Sequence, residues 1–261
     1  HVHFASAPRL EELERCLREG RVSRLAAVSL PDARGLHFNP EVLYAKLRLG
    51  RRCYGLGSFD HCARLHPALF RSDEGGGQAG EELDLAGQVD RLRELGFDGL
   101  KVFLGKPAFQ RQVGLSLTDP PVERALARAA ALGLPALIHV ADPPVFWTAG
   151  PLATAAGGPD SAADLPPAVP GYEELQAQAL AVLDRHPRLT AVFAHLLMMA
   201  HDLPRLAGIL AAHPHAYLDL APGLYFYGEL SRHAEQAREF LIRFRERLLF
   251  GSDGFWFDPA F

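Results

Sequence analysis

Short apolar runs alternate with longer amphipathic ones along this chain. The short runs, bounded by Gly, Pro or polar residues, read as buried strands. Stretches with apolar residues at i, i+3, i+4 and i+7 read as helices. Strand 1 is His1–Phe4, and a helix over Leu10–Arg18 follows, with Leu10, Leu13 and Leu17 on one stripe and Gly20 as its stop. Strand 2 is Leu25–Leu30; a loop with Pro31 and Pro40 leads to a helix over Glu41–Leu49, then strand 3, Cys53–Phe59. Arg71–Gly80 carries Gly75-Gly76-Gly77 and reads as a flexible loop, without the Lys-Ser or Lys-Thr of a phosphate-binding loop. A helix over Glu82–Leu95 precedes strand 4, Gly99–Leu104, and a long loop over Gly105–Leu117. Thr118-Asp119-Pro120-Pro121 then opens a helix to Leu132, as an N-cap followed by N1 proline. Strand 5 is Pro135–Val140, followed by a Pro-, Gly- and Ala-rich loop over Asp142–Gly171. Three further pairs complete the pattern: helix Tyr172–Arg185 with strand 6, Thr190–His195; helix Leu203–Ala212 with strand 7, Ala216–Ala221; and helix Glu229–Glu246 with strand 8, Leu248–Ser252.

Strands alternating with helices predict a parallel sheet. Eight such strands in 261 residues fit a closed barrel, for which about 250 residues is typical. An open doubly wound sheet is the rival, but no GxGxxG follows the first strand. The expected fold is therefore α/β, a (β/α)8 TIM barrel, as one domain over 1–261. The chain starts inside the first strand and stops soon after the eighth, so the barrel is expected to be truncated at both ends.

Composition changes this picture little. Apolar residues make up 48% of the chain and charged residues 22%, as in ordinary globular domains. A net charge of −4 argues against a nucleic-acid partner or an anionic membrane surface, and no apolar run is long enough to cross a membrane. A cytoplasmic location is expected. Cys16, Cys53 and Cys62 have neither the even count of a disulfide framework nor the spacing of a thiolate zinc site, so unpaired thiols are expected. The bias toward Arg over Lys, with abundant Ala, Leu and Pro, points to a GC-rich bacterial genome.

Chemistry enters at the strand ends. His1 and His3 are two residues apart on a strand, so they face the same side and both imidazoles can reach one ion. Ile138-His139, Ala194-His195 and Gly251-Ser252-Asp253 each end an apolar run. Active sites of β/α barrels lie where strands end, and His, His, His and Asp form a ligand set for a divalent metal. Each of these residues has a plainer reading. His1 and His3 could be an exposed terminal pair, His139 and His195 core histidines bonded to carbonyls, and Asp253 a turn residue.

His1-Val2-His3-Phe4, Gly99-Leu100-Lys101-Val102, Ile138-His139-Val140, Phe193-Ala194-His195-Leu196 and Leu249-Phe250-Gly251-Ser252-Asp253 occur in order at barrel-like intervals. This ordered set resembles the amidohydrolase superfamily, in its amidohydrolase-related (amidohydrolase 2) branch, and the resemblance spans nearly the whole chain. That branch contains metal-dependent hydrolases and decarboxylases similar to those of the aminocarboxymuconate-semialdehyde type. The resemblance implies His1, His3, His139 and Asp253 as metal ligands and His195 and Asp253 as catalytic groups. It implies a divalent cofactor, zinc first and manganese second, and a small-molecule substrate; a homodimer is the expectation by analogy. Lys101 corresponds to a strand-4 lysine that some relatives carboxylate to bridge two metals; pairing with a substrate carboxylate or an acidic neighbour is preferred here over that bridge. Leu196-Leu197-Met198-Met199 depart from the glycine often found after the strand-6 histidine, which implies an apolar wall.

Phe4, Trp147, Tyr225, Phe226, Tyr227, Phe255 and Trp256 are aromatic candidates for the barrel mouth, with Trp147 and Tyr225 the best placed to touch substrate. His61 and His201 are weaker candidates, and Arg111 could reach a substrate carboxylate. The implied reaction is attack of metal-activated water on a C–N or C–O bond of an amide, lactone or ester. The alternatives are non-oxidative decarboxylation of an aromatic or unsaturated carboxylate at the same site, and a barrel that binds metal without catalysis.

Overall fold

The computed structural model describes residues 1–31, 37–65, 83–147, 170–221 and 224–256. Its strands are β1 (Val2–Phe4), β2 (Leu25–Val28), β3 (Cys53–Ser58), β4 (Gly99–Gly105), β5 (Ala136–Val140), β6 (Ala191–Phe193), β7 (Ala216–Asp219), β8 (Leu248–Leu249) and β9 (Gly254–Trp256). Every pairing is parallel, in the order β8-β7-β6-β5-β4-β3-β2-β1-β9. The expected eighth strand is cut short. Only Leu248–Leu249 of it forms a strand, paired with β7, and the residues beyond it supply a further strand, β9, paired with β1. Between them, the amides of Ser252 and Asp253 donate to the carbonyl of His1 (3.3 and 3.2 Å). The ring of the (β/α)8 barrel closes through this seam.

The helices are α1 (Leu10–Glu19), α2 (Asn39–Leu49), α3 (Leu85–Glu94), α4 (Pro107–Val113), α5 (Pro120–Ala131), α6 (Tyr172–Arg185), α7 (Leu203–Ala212), α8 (Leu224–Arg232) and α9 (Ala234–Arg243). Most match the apolar periodicity. The exceptions have local causes. The segment read as a loop over Gly105–Leu117 contains α4, opened by Pro107 at N1 and ended by Gly114 at φ +65°; too few residues lie between these stops for its period to stand out. The helix expected over Glu229–Glu246 is two, α8 and α9, broken at His233, whose φ of −129° and ψ of 52° are not helical. Strands 6 and 7 stop at Phe193 and Asp219, two residues earlier than their apolar runs. The Gly75-Gly76-Gly77 loop and most of the loop after Trp147 lie outside the described residues, as do the side chains of Phe255 and Trp256.

Strand parity decides what faces the barrel axis. Val2 and Phe4, Leu100, Val102 and Leu104, Ile138, and Leu218 all join the core between strands and helices. A smaller apolar cluster inside the ring contains Val28, Leu56, Leu137 and Ala194, with Ala26 and Val192 packed on it. His1, His3, Lys101, Phe103, His139 and Asp219 alternate with the outward set, so they point inward, above that cluster. Phe4 is fully buried in the helix-side core, so it does not line the mouth. At the opposite, N-terminal end of the ring lies an apolar cavity of about 570 Å³ lined by Ala26, Tyr54, Leu56, Leu137, Val192 and Leu249, with His1 and Asp219 reaching it from above. No described helix is long and apolar enough to cross a membrane.

Candidate active site

The inward positions at the strand ends converge. Nε2 of His1 and Nε2 of His3 lie 2.9 and 3.0 Å from the same oxygen of Asp253, Oδ1. One donor atom from each of the three residues falls within 4.8 Å of the other two, close enough to hold one metal ion between them. The far side of each ring is already committed. Nδ1 of His1 hydrogen-bonds Asp219 Oδ2, and Nδ1 of His3 lies 3.3 Å from the carbonyl of Val28. Carboxylates and carbonyls only accept, so Nδ1 carries the proton on both rings. In the neutral imidazoles the Nε2 lone pairs then face a carboxylate oxygen. Three lone pairs meeting at one point repel unless a proton on Nε2 or a metal cation sits among them. The donor set fits a divalent metal, and its outer hydrogen bonds are those that orient metal-binding histidines.

Asp219 did not stand out in the sequence, yet it organises the centre. Its Oδ1 accepts the amides of His195 (3.1 Å) and Ala221 (3.0 Å), while Oδ2 holds His1. The signal was there: it is the inward residue at the end of β7, in the parity of the other site residues. Electrostatics follow from these contacts. Burial works against charge on His1, but hydrogen bonds to Asp219 and Asp253 outweigh it and hold its pKa above the ordinary value. Burial opposes ionisation of Asp253 too, yet His1 and His3 pull it far below the carboxylate range. Burial pushes His3 down to about 4.

His139 and His195 form the other wall, with ring centroids 5.2 Å apart. Nε2 of His139 lies 2.9 Å from the carbonyl of Ala141, so its Nδ1 holds the lone pair. Nδ1 of His195 donates to the carbonyl of Ala221 at 2.9 Å, which leaves its Nε2 as the lone-pair nitrogen. Its ring lies 6.2 Å from that of His1. Burial keeps both below the usual histidine pKa, so both are neutral at neutral pH. Lys101 is 2% exposed; burial lowers its pKa to about 8, with Asp253 and Asp219 acting the other way. Its Nζ lies 5.8 Å from the centre of the Phe103 ring, which also meets His139 at 5.3 Å.

The remaining candidates separate. Trp147 stacks edge-on with Tyr172 (5.7 Å), Tyr172 with His201 (5.8 Å), and the hydroxyl of Tyr225 lies 2.9 Å from Nδ1 of His201. This aromatic group gathers residues that follow β5, β6 and β7. Phe226 is buried in the helix-side core, whereas Tyr227 is exposed. Arg111 is solvent-exposed on α4. His61 is buried against Phe59 and Phe109. Cys16, Cys53 and Cys62 form no disulfide.

A family model for amidohydrolases matches residues 80–261, well over half of the chain. The chain belongs to the amidohydrolase family. It is an enzyme fold of that family's amidohydrolase-related branch, and its solved neighbours include enzymes of more than one reaction class. The probable 2-pyrone-4,6-dicarboxylic acid hydrolase of Acinetobacter baumannii is 15% identical, with a TM-score of 0.56 over 97% of this chain and 82% of that one. An amidohydrolase from Burkholderia multivorans is 19% identical, with a TM-score of 0.55 over 97% and 82%. The 5-carboxyvanillate decarboxylase of Sphingomonas paucimobilis is 16% identical, with a TM-score of 0.54 over 93% and 71%. At these identities the likeness is one of fold. No curated protein matches the chain.

Proposed function

We propose that this amidohydrolase is a divalent-metal-dependent hydrolase that adds water across a C–N or C–O bond of a small carbonyl compound, an amide, lactone or ester. The observation that carries the reading is the meeting of two imidazole lone pairs and a carboxylate oxygen at His1, His3 and Asp253. These three residues would hold the ion, zinc first and manganese second, with His139 completing the set. A bound ion of this class supplies the Lewis acidity that brings the pKa of water from about 15.7 to about 7.

The chain's own residues do the rest. Asp219 fixes the tautomer and direction of His1. Asp253 accepts the proton of the attacking water and returns it to the leaving group. His195, neutral and with Nε2 open, accepts a hydrogen bond from the water and orients it. Lys101 carries the cation that pairs with a substrate carboxylate or with the oxygen on which charge develops. Phe103, between Lys101 and His139, keeps that side of the site apolar, which strengthens each of these interactions.

A buried cation beside the metal centre suits any substrate bearing a carboxylate, so decarboxylation at the same site is the second reading. Elemental analysis of the purified chain should return about one zinc or manganese per molecule. His3→Ala and His139→Ala should lose it and Asp253→Asn should retain part of it without turnover. Reaction of lactones, amides and unsaturated carboxylates in 18O-water then separates the reactions: label in the product means hydrolysis, and unlabelled product with release of CO2 means decarboxylation. A chain that binds no metal after reconstitution, or His139→Ala with full activity, overturns the proposal.

A further inference from the structure

Four consecutive non-glycine residues, His195, Leu196, Leu197 and Met198, have φ of +55°, +50°, +56° and +54°. They form one left-handed turn at the end of β6. Residues with a Cβ avoid this region because the Cβ crowds the following carbonyl, and they visit it singly rather than in runs. Such a run persists only where its surroundings over-determine it. Here they do. Asp219 Oδ1 accepts the amide of His195 at 3.1 Å, the hydroxyl of Tyr172 donates to the carbonyl of Met198 at 3.0 Å, and Leu196 and Leu197 are fully buried. The middle of the turn is held by Gln176 of α6, whose Nε2 donates to the carbonyl of Leu197 at 2.9 Å.

Gln176 has no ordinary reason to be where it is. It is fully buried on the face that α6 packs with Leu175, Ala179, Val182 and Leu183, where an aliphatic side chain would bury without cost. Its Oε1 is buried without a partner among the described residues. A buried amide kept at the expense of an unsatisfied acceptor is retained for what its donor does. That donor meets the backbone two residues beyond His195, at the middle of the strained turn. The turn in turn aims the His195 ring so that Nδ1 reaches Ala221 and Nε2 is left for the site.

We infer that Gln176 is a positioning residue for His195: by pinning the carbonyl of Leu197 it holds the left-handed turn that fixes which His195 nitrogen faces the metal centre. The inference rests on His195 serving the reaction proposed above. Its test needs neither metal nor substrate, so the two can fail separately.

The test is the ring 15N–1H spectrum of the full chain, metal-free and labelled in histidine, with the His195 signal assigned from a His195→Asn variant. In the parent chain His195 should show a single Nδ1–H tautomer. Gln176→Met, which fills the same space without a donor, should lose that single form and give a mixed or broadened signal. The double variant Gln176→Met/Met198→Gly should regain it, because glycine occupies a left-handed position without strain. A role limited to packing moves the melting temperature but not the tautomer, and glycine at a neighbouring position does not rescue it. Should Gln176→Met not fold, Gln176→Asn, whose amide stops short of Leu197, is read in the same way. An unchanged His195 tautomer in a folded variant, or a lost one that Met198→Gly leaves unrestored, overturns the inference.

Discussion

At the scale of single residues, the site stores strain and suppresses charge, and both can be measured. Each non-glycine residue in the left-handed region costs roughly 1–2 kcal/mol, and four adjoin at His195–Met198. Leu196 and Leu197 repay this by burial, but Met198 is only partly buried. Met198→Gly and Met198→Ala remove nearly the same side chain and differ in backbone freedom. The glycine variant should therefore be the more stable by about 1 kcal/mol, the reverse of their order in a right-handed helix; equal melting temperatures would mean that the turn is not strained. His61 illustrates suppressed charge. Burial lowers its pKa to about 4, against about 6.5 in the unfolded chain. Between those values the unfolded state binds the extra proton. The contribution of His61 is thus fully present above about 6.5 and lost as pH falls toward about 4, by up to about 3 kcal/mol at 1.36 kcal/mol per pKa unit. His61→Phe keeps a ring against Phe59 and Phe109 and removes the titration. Its denaturant stability should fall less steeply than the parent's from pH 6.5 to 4, and parallel pH profiles would refute the assignment.

At the scale of elements, the barrel was legible because each strand announces itself as a short apolar run and most helices by a single buried stripe. The convergence of His1, His3 and Asp253 was legible for the same reason, since they sit at or just past the ends of such runs; His139 ends a run too but stands outside that group of three. What escaped the sequence depended on pairing. Asp219 looks like any strand-ending aspartate until β7 is placed beside β6, and Gln176 looks like a surface residue until α6 packs over the turn after β6. The strand β9 is likewise invisible, since Gly254–Trp256 lies past the apolar run that ends at Ser252 and shows itself only beside β1. Gly105 shows how pairing constrains the site. At the end of β4 its register with β5 shifts between Val102 and Gly105, and a Cβ added there would land on the carbonyl of His139, far inside contact distance. Neither backbone can yield without parting β4 from β5. Gly105→Ala should cost about 2–3 kcal/mol, at the upper end for an overpacked position, and should weaken zinc binding by displacing His139. Wild-type stability and zinc affinity in Gly105→Ala would show that the strand ends are not held so closely.

At the scale of the whole molecule, the proposed metal centre sits at the seam where β8, β9 and β1 meet. β4 and β5 pair along most of their length across one register shift, whereas the closing segment has two residues on β7 and three on β1. The join between them rests on hydrogen bonds of 3.2–3.3 Å to the backbone of His1. His1 and His3 lie on one side of this seam and Asp253 on the other, so an ion bound by all three ties the first strand to the last. A ligand that binds only the folded state stabilises it by about 2.7 kcal/mol at a hundredfold excess over Kd, which for a domain of this size corresponds to roughly 5–10 °C in Tm. Zinc should therefore raise the Tm by that amount, and chelation should reverse it; His3→Ala should melt at one temperature with or without zinc. The gain should also be local. Amide exchange should slow on zinc binding at His1–Phe4, at Leu248–Trp256 and at the His139 end of β5, and stay unchanged at Leu25–Val28 and Cys53–Ser58, because only strands that carry a proposed ligand gain a crosslink. Uniform slowing around the ring would instead mean that the metal reports global stability, and no slowing at the seam would separate the centre at His1, His3 and Asp253 from the closure of the barrel.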